Sequence, residues 1–154
     1  IKLVVSNNSK AKGLIHAKSF KIKTFFVNYK NINISEKKIL KILLKHKIEL
    51  ILLAGFMKIL SSNFIKKFKK PILNIHPSLL PKYKGLNTHK RVLEKKEKFS
   101  GSTVHLVTPN LDSGKIILQR KVKILKNTNE KNLEKKNIKI RAQPISGSDK
   151  KVFI

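Results

Sequence analysis

The sequence predicts an α/β fold: a mostly parallel sheet with helices on both faces and an antiparallel pair near the C-terminal end. Short apolar runs alternate with helix-period stripes through residue 76, as strand-helix-strand crossovers do. The runs at residues 1–6 and 49–54 are largely apolar rather than alternating, as in buried strands. After residue 100 the pattern changes to two alternating segments around a turn-rich stretch, the signature of a hairpin. A chain of 154 residues is long enough for one domain with a real core and too short for two comfortable ones.

Residues 1–6 form an apolar run ending in Asn7-Asn8-Ser9, a buried strand and a turn. Residues 11–20 read as a short helix with mixed faces, and residues 23–27 as a second strand. Ser35 precedes an apolar stripe of Ile39, Leu40, Leu43 and Leu44, which predicts an N-cap and a helix over residues 36–47. Residues 49–54 are the next buried strand. Ser61 or Ser62 caps a helix carrying Phe64, Ile65 and Phe68, and Pro71 stops it. Residues 72–76 form the fourth strand, and a helix follows near 88–95. Residues 102–107 and 115–123 alternate on either side of 108–114 and predict the antiparallel pair. There is no internal repeat.

The chemistry concentrates in Asn74-Ile-His76-Pro77-Ser78-Leu-Leu-Pro81-Lys82-Tyr-Lys-Gly85-Leu-Asn-Thr-His89. Asn74 and His76 follow the apolar Ile72 and Leu73, and residues two apart on a strand share a face. Pro77 cannot donate to a sheet ladder and ends the strand. An amide and an imidazole at a strand's C-terminal end suit acyl-type transfer: one steadies an oxyanion, the other moves protons. Ligands of such sheets sit beyond the carboxyl ends of the strands, where residues 55–57 also fall. A lone histidine beside an apolar run is more often structural; the Asn74 partner and the position after the strand weigh the other way, and the resemblance given below completes the reversal. Asp112, one of eight acidic residues, is by local sequence equally a turn former ahead of Ser113-Gly114. His16 and His46 read as surface residues. No two histidines lie at ligand spacing on one element, so no metal is expected.

These strings resemble the phosphoribosylglycinamide formyltransferases of the folate-dependent formyltransferase family. The resemblance rests on Leu53-Ala54-Gly55-Phe56-Met57-Lys58-Ile59-Leu60-Ser61, the block from Asn74 to His89, Gly101-Ser102-Thr103-Val104-His105 and Leu111-Asp112-Ser113-Gly114. It runs without a gap from about residue 50 to residue 133, and Gly85-Leu86-Asn87-Thr88-His89 separates this group from other folate formyltransferases. It implies a Rossmann-like formyltransferase fold and formyl transfer from 10-formyltetrahydrofolate, as co-substrate, to the amine of glycinamide ribonucleotide in purine synthesis. It also implies His76, Asn74 and Asp112 as catalytic residues, with Asp112 beside the histidine, where a carboxylate would favour the imidazolium and raise its pKa. Met57, Lys58, Ile59 and Leu60, with Asn74, correspond to the folate-contacting positions, although Met57 and Leu60 alone would be read as core. Ser78, Lys82, Gly85 and Thr103 are expected to shape the pocket. His89 and His105 fall inside the matching strings with no chemistry attached. A monomer or weak homodimer is expected.

The resemblance fails at both ends. Relatives begin with another strand and a glycine-rich phosphate loop, so residues 1–136 are read as an N-terminally truncated formyltransferase domain lacking its first strand. From Asn137 to residue 154 the sequence departs from the family's helix with Glu-His and Tyr-Pro pairs. One back-translation of that segment, read one base later, restores both pairs. A single inserted base in the codons for Lys135-Lys136-Asn137 is therefore expected, with a poorly ordered, non-native tail after it.

Composition narrows the alternatives. The formal net charge is +28, but only Arg91, Arg120 and Arg141 are arginines, and the lysines are spread throughout. A nucleic-acid module would more often combine Arg forks with stacked aromatics. The charge therefore reads as a solvated surface shaped by AT-rich codon bias, with no specific nucleic-acid partner. No apolar run approaches the roughly 20 residues of a membrane span, and no secretory h-region opens the sequence. The absence of cysteine removes disulfides, thiolate catalysis and Cys-based zinc sites from this chain, and the expected address is cytoplasmic. Enzymes that formylate methionyl-tRNA or hydrolyse formyltetrahydrofolate remain rivals, but both carry a further domain; a basic binding protein, or an inactive remnant, is the non-enzyme alternative.

Overall fold

A computed structural model describes residues 1–141 and divides into two compact units. In the first, Ile1–Glu49 with Leu60–Lys70, strands β1 (Leu3–Ser6) and β2 (Lys23–Phe26) pair in parallel through the connecting helix α1 (Lys12–Ser19). β1 is half-buried rather than fully buried, while α1 buries Leu14 and Ala17.

The helix expected to start after Ser35 begins earlier. α2 spans Ile32–Lys45, and Asn31 is its cap, its Oδ1 accepting from the Ile34 N–H at 3.1 Å. Ser35 lies inside the first turn, buried, and its hydroxyl donates to the carbonyls of Asn28 and Asn31, each at 2.6 Å. A serine that satisfies itself on a carbonyl four residues back does not have to end the helix. α3 (Ser62–Phe68) starts where expected, with the Ser61 hydroxyl accepting from the Phe64 N–H at 3.0 Å. It ends on Lys69 in the left-handed region, φ 56°, before Pro71 is reached. Phe64 and Phe68 are buried and stacked, ring centroids 6.4 Å apart. His46 is half-buried against Phe25, ring centroids 5.5 Å apart, and is not the surface residue the sequence suggested; His16 is exposed.

The second unit comprises Leu50–Ile59 and the chain from Pro71 onward. Its sheet has the order β3 (Ile51–Leu53), β4 (Ile72–His76), β5 (Phe99–Leu106), β6 (Ile116–Lys123). β3 and β4 are parallel; β4–β5 and β5–β6 are antiparallel, so the reversal begins one strand before the expected hairpin. The β4–β5 register sets Asn74 opposite His105 and His76 opposite Thr103. Partners across a ladder share a face, so these four side chains project together. Helix α4 (Thr88–Glu94) buries Thr88 and Val92. Helix α5 (Glu130–Arg141) fully buries Leu133 and Asn137.

Asn137, where the sequence departs from the family pattern, lies within helix α5. Asn137 Nδ2 lies 3.2 Å from His89 Nδ1 and 3.4 Å from Ser100 Oγ. The remainder of the proposed tail, 142–154, lies outside the described residues. Among the described residues no helix is long and apolar enough to cross a membrane.

Candidate active site

β4 ends at His76, as Pro77 requires, and the chain then turns sharply back. A buried network holds that turn. Thr103 Oγ1 donates to the Ser78 carbonyl at 2.6 Å and accepts from the Leu80 N–H at 3.1 Å and from Gln119 Nε2 at 2.9 Å. Ser78 Oγ donates to the Lys82 carbonyl at 2.7 Å. Thr103 and Ser78, both fully buried, thus satisfy the turn's backbone from opposite ends. Lys82 contributes backbone only, that carbonyl and an N–H donated to the Leu79 carbonyl at 3.1 Å, because its ammonium reaches outward to Glu97 at 2.9 Å. The turn delivers the Tyr83 carbonyl to His76, whose Nε2–H donates to it at 2.8 Å.

Asp112 enters from the β5–β6 connection at φ 46°. Its side chain is 7% exposed, with Oδ2 3.2 Å from His76 Nδ1 and Oδ1 3.5 Å from His105 Nε2. Oδ2 also accepts from the Gly85 N–H at 2.9 Å. Gly85 has φ 78°, a conformation that a side chain would strain, so glycine lets the backbone meet the carboxylate here. Gly114 permits the other close approach, since a Cβ there would overlap the Leu106 carbonyl. Asn74 Nδ2 lies 3.3 Å from His105 Nε2. The three expected residues His76, Asn74 and Asp112 therefore converge, linked through a fourth.

His76 is buried between two acceptors, the Tyr83 carbonyl and the Asp112 carboxylate. Only the imidazolium could donate to both. Its pKa nonetheless lies below the ordinary histidine value: desolvation is the largest influence, and the Tyr83 carbonyl and Asp112 pull upward without overcoming it, against His105 and Arg91. The upward pull expected of Asp112 is present, but it does not set the net direction. The depth of burial, which local sequence does not encode, outweighs it.

The expected folate segment is divided in exposure. Met57 is 76% and Ile59 63% exposed and Lys58 is exposed, whereas Leu60 is buried. Leu86 and Leu111 are further exposed apolar side chains.

His105 is the site residue that sequence reasoning passed over. Its signal was the strand register: in an antiparallel β4–β5 pair, a histidine three residues past Ser102 falls opposite Asn74. Arg91 is another such residue, with Nη1 on the Lys84 carbonyl at 2.6 Å and the guanidinium 5.4 Å from the centre of the Tyr83 ring.

A family model described as formyl transferase matches residues 1–144. The chain is 45% identical over 127 residues to the phosphoribosylglycinamide formyltransferase of Haemophilus influenzae, a match covering 80% of this chain and 60% of that protein. It is 44% identical over 127 residues to the trifunctional purine biosynthetic protein adenosine-3 of Gallus gallus, covering 80% of this chain and 13% of that one. Among solved structures, the phosphoribosylglycinamide formyltransferase from Anaplasma phagocytophilum matches with a TM-score of 0.86 and 40% identity, over 90% of this chain and 66% of that one. The chain thus spans less than two thirds of each of these relatives. With the match extending through both units and across every residue of the cluster around Asp112, this chain belongs to the formyl transferase family.

Proposed function

We propose that the protein carrying this chain transfers a formyl group from 10-formyltetrahydrofolate to the amine of glycinamide ribonucleotide, in purine biosynthesis. The observation that carries the reading is the convergence of Asn74, His76 and Asp112 at the end of β4. The relatives' names supply the reaction class, and the cluster supplies groups suited to it.

The amine nitrogen attacks the formyl carbon, forming a C–N bond and a tetrahedral oxyanion. Asn74 donates to that oxyanion through Nδ2, and His76 as imidazolium shares its charge. Burial disfavours the imidazolium in the resting site, but an adjacent oxyanion favours it, so the charge is stabilised when the intermediate forms. The amine then loses a proton, which Asp112 relays through water to the folate nitrogen as the C–N bond to folate breaks. The products are the N-formyl ribonucleotide and tetrahydrofolate. No covalent enzyme intermediate is required, and much of the acceleration comes from aligning two bound substrates. Exposed Met57 and Ile59, with Lys58, offer an apolar surface with a charged end for the folate ring and its acidic tail, and Leu60 closes the segment as a buried residue. On this reading residues 1–136 make up the formyltransferase portion.

Titration calorimetry with a non-reactive formyl-folate analogue and with glycinamide ribonucleotide, beside a formyl-transfer assay, tests the proposal. We expect folate-analogue binding that weakens at least about tenfold in Met57→Asp, the cost of setting a charge against an apolar ligand face. Tight duplex-DNA binding at moderate salt without folate binding would instead favour a basic binding protein.

A further inference from the structure

His105 makes contacts that set the orientation of Asn74. Its Nδ1 lies 2.9 Å from the Leu106 carbonyl. A carbonyl oxygen can only accept, so Nδ1 carries the ring proton, and Nε2 of the neutral ring is left with a lone pair. Asn74 Nδ2 stands 3.3 Å from that Nε2. Were the amide turned over, its oxygen would oppose the lone pair in a site where the His105 side chain is only 3% exposed. The Nε2 to Asp112 Oδ1 separation of 3.5 Å is also longer than the about 2.7–2.9 Å of a charge-assisted N–H to carboxylate bond. That spacing fits a bare Nε2.

We infer that His105 is a positioning residue for the formyl-transfer site: the Leu106 carbonyl fixes its tautomer, and its unprotonated Nε2 fixes the amide of Asn74. One Nδ2 hydrogen is then held by His105, and the other is left for the oxyanion. Rotation of the amide by half a turn would present an oxygen to the developing negative charge, converting stabilisation into repulsion. The strand register accounts for the placement, since His105 and Asn74 are direct cross-strand partners and β5 shifts register against β6 between Val104 and His105. The catalytic consequence rests on the role proposed above for Asn74; the tautomer and the amide orientation do not.

Two measurements separate these. In the uniformly 15N-labelled wild-type protein at neutral pH, the His105 ring should show a protonated Nδ1 and a pyridine-like Nε2. A protonated Nε2 would overturn the inference whatever the activity. In the transfer assay, His105→Asn should lower kcat on the order of 30-fold and leave the folate KM within about twofold, the split expected when a transition-state contact is misaimed. His105→Gln, whose amide oxygen reaches toward the Nε2 position, should recover roughly tenfold of that loss, and His105→Asn in an Asn74→Ala background should add less than about threefold. Equal losses in both His105 variants, or effects that multiply with Asn74→Ala, would assign His105 to the fold alone. A protein with no formyl transfer would remove the proposed reaction, while the ring spectrum would still decide the His105–Asn74 pair.

Discussion

Glu36 in the first unit and Asp112 in the second are both buried carboxylates, and their partners differ in kind. Glu36 accepts from the Tyr29 hydroxyl at 2.9 Å, the Ser61 N–H at 2.8 Å and the Ser61 hydroxyl. None of these donors gives up its proton near neutrality. Burial, then the hydrogen bond and the charge of Glu36, push the Tyr29 pKa up, so the phenol stays protonated. Asp112 has one such permanent donor, the Gly85 N–H, and faces His76 and His105 on its remaining sides. A carboxylate surrounded by fixed donors ties elements together, here α2 to the cap of α3. One that faces imidazoles sits where proton positions can change, and that is the arrangement proton transfer requires.

The largest effects should come from breaking the second cluster. Asn74→Ala should lower turnover roughly 100- to 1000-fold, the range for losing an oxyanion donor, and His76→Ala, which removes the imidazolium charge, by a comparable factor, each with little change in folate affinity. Steady-state kinetics beside calorimetry checks this, and a loss confined to affinity would remove both residues from the transition state.

The first cluster should respond in stability. Glu36→Ala removes the shared acceptor of the Ser61 N–H, the Ser61 hydroxyl and the Tyr29 hydroxyl and should cost about 3 kcal/mol in denaturant unfolding, whereas Tyr29→Phe should cost about 1 kcal/mol. If Glu36→Ala were tolerated within about 1 kcal/mol, Glu36 would not be the tie between α2 and the α3 cap.

Asp112→Asn sharpens the contrast through pH. The His76 pKa is already below its ordinary value, and Asp112 is one of the two influences holding it up. Removing the carboxylate lowers it further, so the limb of the pH–rate profile governed by His76 should move to lower pH. An unmoved limb would leave Asp112 as a turn residue only.

The smallest effect is the wild-type stability profile. Because folding depresses the His76 pKa, the unfolded chain binds a proton that the folded chain resists as pH falls below about 6.5. The His76 contribution is therefore present above that pH and lost as pH falls through the depressed folded value. His76→Gln should flatten this part of the profile in unfolding experiments across pH; an unchanged slope would show that His76 does not carry it.

Much of the site is legible in the residues alone. Pro77 after an apolar run dictates where β4 ends, and the two-residue period puts Asn74 and His76 on one face. Both follow from covalent geometry acting over a few residues. α3 and the β5–β6 hairpin are legible for the same reason, since the Ser61 cap and the alternating period are local. The start of α2 is not, because residues 31–35 contain several possible caps and only the partners of Ser35 exclude it as the boundary.

The sequence by itself determined the order of elements through β6, the end of β4 and the shared face of the amide and imidazole, because hydrophobic period and proline stereochemistry act on adjacent residues. Only the tertiary structure decided that His105 stands between Asn74 and Asp112, that the Tyr83 carbonyl meets His76, and that burial lowers the His76 pKa despite a nearby carboxylate. Strand register and desolvation are set by residues distant along the chain, and no local pattern records them.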